Sequence, residues 1–322
     1  MNRNSIWLLV LLVLAVLLAL GCGENAIEPA GRAEVEIAGA DMGSPDLDAA
    51  GGRGHGNPKG TFLISSRAGI IALSPKGESF LFHPSGGHAP NIEVLGTRIF
   101  WLGGTTIYEF DHLGNILATI DLPARIGYGL DFTVLPDGNF AVHDCRVDSV
   151  YFMDPAGTVF RAVAMPEPSP MNLQNMKGLV LDGRLIVSET GTRKIAAIDL
   201  ATYETSIFRD FSADQPHLWL NNIEHQGNFY YIGRAGCLQR FKETGHLRTV
   251  AEFDEDYNLN GFAVLRHKAY AAFNHTGRVL EVNLSSGKTR CLLEGLDYPT
   301  DVEFIPVVLE PPVAARMGPQ EG

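Results

Sequence analysis

The central part of the chain alternates short apolar runs with polar turns, at a spacing that suits strands rather than helices. One stretch shows the unit. Asp131-Phe132-Thr133-Val134 leads to the turn Pro136-Asp137-Gly138 and a second run, Phe140-Ala141-Val142-His143-Asp144. Val150-Tyr151-Phe152-Met153-Asp154, the turn Pro155-Ala156-Gly157 and Val159-Phe160-Arg161 complete it. Runs of this length, rich in β-branched and aromatic residues and bounded by Pro, Asp and Gly, read as strands. Four such strands make one sheet.

The sheet recurs. The first apolar residue of its leading strand falls at Ile92, Phe132, Leu179, Ile223, Phe262 and Val302, at intervals of 39 to 47 residues. The third strand opens at Ile107, Val150, Ile195, Leu238 and Val279, an independent series with nearly the same period. Two series in phase at this spacing predict a propeller of four-stranded blades. The ends of the series fix the blade number. Residues 61–82 supply strands with no leading strand before them, and Asp301-Val302-Glu303-Phe304-Ile305 is a leading strand with no blade after it. Pairing the two gives an all-β, six-bladed ring over 61–306, closed by a C-terminal strand that completes the first blade and leaves no open sheet edges to aggregate.

The flanks lack this pattern. Ile6 to Leu20 is an unbroken apolar run of 15 residues behind Arg3. A helix needs about 20 residues to cross the hydrocarbon layer, so 1–21 reads as a secretory signal peptide. Ala19-Leu20-Gly21-Cys22 resembles the lipobox of bacterial lipoproteins, which implies acylation at Cys22 and a lipid-anchored protein of the bacterial cell envelope. Residues 23–60 contain no Phe, Trp or Tyr and are dominated by Gly, Ala, Asp, Glu and Pro. Such a stretch cannot bury enough surface to offset its ordering entropy, so 22–60 is expected to be a lipidated cysteine and flexible linker spanning roughly 35 Å. The tail 307–322 is expected to be loose as well.

Composition narrows the partners. With 45% hydrophobic and 19% charged residues the chain can build a sizeable core, and 35 glycines and 18 prolines fit many turns. A net charge of −12 opposes nucleic acid as a partner, because phosphate backbones need a concentrated field of Lys and Arg.

Val187-Ser188-Glu189-Thr190-Gly191-Thr192-Arg193-Lys194-Ile195 and Val142-His143-Asp144-Cys145-Arg146-Val147-Asp148-Ser149-Val150 resemble the second-to-third-strand segment of NHL-repeat propellers, an architecture shared by the gluconolactonase and regucalcin family. The resemblance implies a six-bladed ring with its ligand at the mouth of the central channel, where the leading strands begin. Those starts carry Asn91, Asp131, Lys177, Asn221, Asn260 and Asp301, with Trp219 close by as an aromatic floor for a sugar or peptide. The same resemblance implies a divalent cation such as calcium at the mouth, with Asn221 and Asn260 on ligand positions, and a metal-dependent lactonase activity. Against this, Leu130 stands where a polar ligand is expected, Lys177 brings a positive charge, and the family's Glu-x-Pro-x-Trp segment is absent. The residues alone favour no cofactor and Asn side chains that satisfy nearby backbone groups.

Other candidates are weaker. Asp256-Tyr257-Asn258-Leu259-Asn260-Gly261 opens like a calcium loop, yet its twelfth position is His267 where a bidentate carboxylate is needed. Asp144, Glu189 and Asn274 end equivalent second strands and suit loop caps. Besides Cys22 there are Cys145, Cys237 and Cys291, and Cys145 and Cys237 lie on non-neighbouring blades, too far apart to bridge. No Gly-x-Ser-x-Gly, His-Glu-x-x-His or phosphate-binding loop occurs. No catalytic residue is therefore assigned. The expected function is a binding or scaffold module for a protein, peptide or glycan, the alternative being a gluconolactonase-like hydrolase.

Overall fold

Twenty-four strands in six antiparallel sheets of four make up a closed β-propeller. The computed structural model describes residues 59–74, 77–85, 91–126, 129–144, 146–166, 176–189, 193–212, 220–234, 236–254 and 259–310. All belong to the unit Gly43–Gly322. The apolar run 6–20, Cys22, Cys145 and Trp219 lie outside the described residues. Among those described, no helix is long and apolar enough to cross a membrane.

Blade 1 is made of β1 (Thr61–Ser66), β2 (Gly69–Leu73), β3 (Ser79–Pro84) and, at its inner edge, β24 (Asp301–Ile305). Blade 2 runs β4 (Asn91–Leu95), β5 (Arg98–Gly103), β6 (Thr106–Phe110), β7 (Ile116–Asp121), and blade 3 runs β8 (Gly129–Val134), β9 (Phe140–Asp144), β10 (Ser149–Met153), β11 (Val159–Ala164). Blade 4 holds β12 (Met176–Leu181), β13 (Arg184–Glu189), β14 (Lys194–Asp199) and β15 (Thr205–Asp210). Blade 5 holds β16 (Asn222–Gln226), β17 (Phe229–Arg234), β18 (Cys237–Phe241) and β19 (Arg248–Glu252). Blade 6 holds β20 (Leu259–Leu265), β21 (Lys268–Phe273), β22 (Arg278–Asn283) and β23 (Thr289–Leu293).

Closure is made as the sequence pattern requires. β24 pairs antiparallel with β1, setting Asp301 opposite Ser65, Val302 opposite Ile64 and Ile305 opposite Thr61. Each leading strand also touches the leading strands of the two neighbouring blades, β24 meeting both β20 and β4, so the inner strands form an unbroken circle. Six hydrophobic clusters fill the six seams between blades. The seam between blades 6 and 1, for example, joins Val302, Ile64 and Phe62 of the last and first strands to Tyr270 and Val279 of blade 6.

One register differs from the apolar series. In five blades the first apolar residue of the leading strand faces the preceding blade. In blade 4 that place belongs to Gly178, which pairs with Val187 as Phe132 pairs with Val142. Leu179 is thereby shifted to the next row, and Lys177 falls level with Asn91, Asp131, Asn222 and Asp301. Gly178 is required there: a Cβ would strike Thr133 Oγ1 and lie 2.8 Å from Leu185 Cδ1.

Candidate functional site: the central channel and its mouth

The leading strands converge on the axis, so their first residues form the upper row of the channel: Asn91, Asp131, Lys177, Asn222, Gly261 and Asp301. Polar as it is, this row is sealed from solvent, with Asn91 2%, Asp131 7%, Lys177 4%, Asn222 0% and Asp301 3% exposed. Two residues further along come Glu93, Thr133, Leu179, Glu224, Ala263 and Glu303. Here water enters, reaching 20% of the Glu224 side chain and 18% of Glu303.

Amide side chains of the upper row hold neighbouring blades together. Asn91 Nδ2 donates to the Phe132 carbonyl at 3.0 Å and to the Asp131 carboxylate. Asn222 Nδ2 donates to the Phe262 carbonyl at 3.1 Å. Asn221 and Asn260 do likewise, donating to the carbonyls of Leu259 at 2.6 Å and Thr300 at 3.1 Å. Each bond joins one leading strand to the chain of the next blade, satisfying a carbonyl that the inner edge of a sheet would leave bare.

The centre of the channel is ionic. Lys177 reaches from blade 4 across to blade 1, where its Nζ lies 3.2 and 3.0 Å from the two oxygens of Asp301 and 2.7 Å from Glu303 Oε1. Glu224 of blade 5 is 4.0 Å away. Burial alone would lower the lysine's proton affinity, but Asp301, Glu303, Glu93 and Glu224 more than offset it and hold the ammonium well above its ordinary value. Burial pushes the Asp131, Glu93 and Glu224 carboxyls well above the usual range despite the pull of Lys177. It raises Asp301 to about 6. Asp301 also caps its own strand and the next, accepting Val302 N at 2.9 Å and Ile92 N at 3.5 Å.

The residues present do not fit the divalent cation that the gluconolactonase resemblance implies. A lysine ammonium already sits among the carboxylates that, with Asn221 and Asn260, would have to supply its oxygens. Among the described residues no group of three or more His, Cys, Asp and Glu is arranged to hold a metal ion. The calcium-like opening at 256–261 runs into β20, so Leu259 to Gly261 are strand residues. Asp144 accepts Arg146 N at 3.1 Å and closes its loop, as a cap does. Cys237 and Cys291 are free thiols, the first buried and the second exposed.

A surface cluster that the sequence pattern did not single out lies on the same end of the ring. The start of each leading strand pairs with the end of the second strand, so the loops before the one and after the other share a face. There Arg67, which follows β1, lies over the ring of Tyr298, which precedes β24, at 4.2 Å. His275, which follows β21, meets Tyr298 edge-on at 5.9 Å. Arg67 N donates to the Asp297 carbonyl at 2.9 Å, which fixes the two loops to each other. Arg67 and His275 are exposed and Tyr298 is half-buried. These three residues come from separate turns of the sequence, and only ring closure brings them together.

No protein-family model matches the chain, and no curated protein matches it. Among solved structures it is similar to a chain of a nidogen/laminin complex, with a TM-score of 0.59 and 14% identity over 76% of this chain and 97% of that one. A second similarity, to virginiamycin B lyase from Staphylococcus aureus, has a TM-score of 0.48 and 12% identity over 63% of this chain and 69% of the other. At these identities the likeness to the nidogen/laminin chain concerns the fold, a six-bladed β-propeller.

Proposed function

We propose that this protein is a binding module of the cell envelope, tethered through a lipid on Cys22, that takes a protein, peptide or glycan on the loop-bearing face of the ring. The observation that carries the reading is the use of the channel mouth. In lactonase-like propellers the leading-strand starts are expected to hold the reactive ion, whereas here Asn221 and Asn260 clasp adjacent blades and Lys177 bridges opposite ones. Polar groups engaged in this way support the scaffold, since freeing any of them exposes a buried donor or charge. What remains for recognition is the face outside the channel. Arg67, His275 and Tyr298 offer there a cation, an imidazole and an aromatic ring within reach of one ligand, the combination that sugars and peptides exploit. One structural neighbour is a nidogen/laminin complex, so a propeller of this shape serves in protein binding elsewhere.

The test has two arms. The purified full chain is screened against glycan and peptide arrays, and against a lactone panel with and without calcium, magnesium and zinc. Binding that is lost in Tyr298→Ala, with no lactone turnover above buffer, is the expected result. Turnover that requires a metal ion and disappears in Asn221→Ala would establish the hydrolase reading instead.

A further inference from the structure

We propose that the channel is an acid-strengthened latch on the closing strand: Lys177 holds β24 from the opposite side of the ring, and the surplus carboxylates around it weaken that hold until one of them takes up a proton. β24 is the strand that makes the chain into a circle, and both of its acidic residues grip the same ammonium. The hold therefore comes from blade 4, far from the β1 ladder that pairs with β24, and it resists outward movement of the strand that hydrogen bonds within blade 1 do not oppose.

The balance of charge around that ammonium is lopsided. Facing it are Asp301 and Glu303 from β24, Glu224 from β16, Glu93 from β4 and Asp131 from β8. β20 contributes Gly261 and Ala263, which carry no charge, and β9 contributes the buried His143, whose Cε1 lies beside Gly178. Five carboxylates against one ammonium leave four charges uncompensated if all ionise. Buried like charges raise one another's proton affinity, so the surplus is relieved by protonation. Glu93 is the least compensated: among the described residues its Oε1 is buried with no hydrogen-bond partner.

The sign of the pH effect follows. Glu93, Asp131 and Glu224, none of them on β24, bind protons more tightly folded than unfolded, so their protonation stabilises the ring and leaves the ammonium to Asp301 and Glu303. That gain is complete below the unfolded value of about 4 and is lost as the pH rises through the folded values, while Asp301, raised to about 6, is ionised and grips the ammonium above that pH. The ammonium, held above its ordinary value, keeps its contribution throughout this window. Asp199 and Asp210, held below the usual range chiefly by hydrogen bonds from Thr202 and Ser212, work in the opposite direction below about pH 4, and His83 and His225, which burial holds below the ordinary imidazole value, do so as the pH falls below about 6.5, so the carboxyl effect is read above that pH.

The experiment follows the thermal midpoint of the full chain from pH 5 to pH 9 at constant ionic strength. The midpoint is expected to fall between pH 7 and 8.5, above the range in which His83 and His225 titrate in the unfolded chain. Glu93→Gln should raise it at pH 8.5 by about 2 to 4 °C and flatten the profile, while Glu78→Gln, on an exposed turn, should follow the wild type. If Glu93→Gln does not fold, Glu224→Gln carries the same expectation. Hydrogen exchange, corrected for the intrinsic rate, should show β24 losing protection relative to β13 between pH 6 and 8.5 in the wild type but not in the variant. A wild-type midpoint that is flat or rises over this range, a variant profile superimposed on the wild type, or β24 protection that does not change would each overturn the latch.

Discussion

Lys177 and Asp301 stand 124 positions apart in the chain and on opposite blades, yet the lysine Nζ lies 3.0 Å from Asp301 Oδ2. Neither residue could find the other in an open array of blades. Their contact belongs to the closed ring, and it occupies the part of the channel where a propeller enzyme of the lactonase kind would keep its ion.

Closure also rests on apolar packing. Ile305, fully buried at the end of β24, packs with Leu63, Ile92 and Trp101 in the seam between blades 1 and 2. Ile305→Ala should therefore cost about 2–5 kcal/mol in urea unfolding, since the cavity opens between rigid blades that cannot collapse onto it. Leu292→Ala, only partly buried on the outer strand of blade 6, should cost distinctly less.

A buried hydrogen bond ties the closing blade to the next one. Trp101 Nε1 donates to Ser65 Oγ at 3.2 Å. Ser65→Ala leaves the indole N–H facing an apolar group and should destabilise the chain by about 1–3 kcal/mol, with a change in the tryptophan fluorescence of the native state. Ser65→Thr, which keeps the oxygen, should recover part of the loss.

Gly261 leaves room for Asp301. A Cβ there would meet the Asp301 carboxylate and lie 2.6 Å from the Thr300 carbonyl, both on the chain leading into β24. Gly261→Ala should push the closing strand outward, at a cost of about 1–3 kcal/mol in denaturant unfolding. Gly96→Ala, in an open turn where a Cβ meets nothing within 4 Å, lacks that clash and should be destabilising only through its positive φ of 65°.

The face cluster makes a separate prediction. Tyr298→Ala should abolish binding to any ligand found for the loop-bearing face while shifting the thermal midpoint little, because the ring is half-buried on the surface. Arg67→Ala, which removes the cation stacked at 4.2 Å, should weaken binding in the same direction.

Blade number and closure were legible in the sequence because both follow from counting. Leading strands recur with a stable period, and Val302 begins a blade that the chain does not finish. The channel was legible only in part. The row Asn91, Asp131, Lys177 and Asp301 could be named from position, but that Lys177 grips Asp301 depends on which blades oppose each other, a property of the finished circle. Glu93, Glu224 and Glu303 were passed over because acidic residues in alternating strands usually mark a solvent face. In a propeller the innermost strand has no such face, and its alternate residues meet around the axis. Blade 4 hid its register because Gly178 takes the place of an apolar residue, which moved the visible pattern on to Leu179. That Arg67, His275 and Tyr298 meet left no signal, since they come from three different turns.

The most direct test of the strut across the channel is a double-mutant cycle on Lys177→Met and Asp301→Asn, measured by urea unfolding at pH 8. The two residues should couple by at least about 1 kcal/mol, within the range found for contacting charged pairs, the double variant losing less than the sum of the single ones. Losses that add to within about 0.3 kcal/mol would mean that the pair does not hold the ring together.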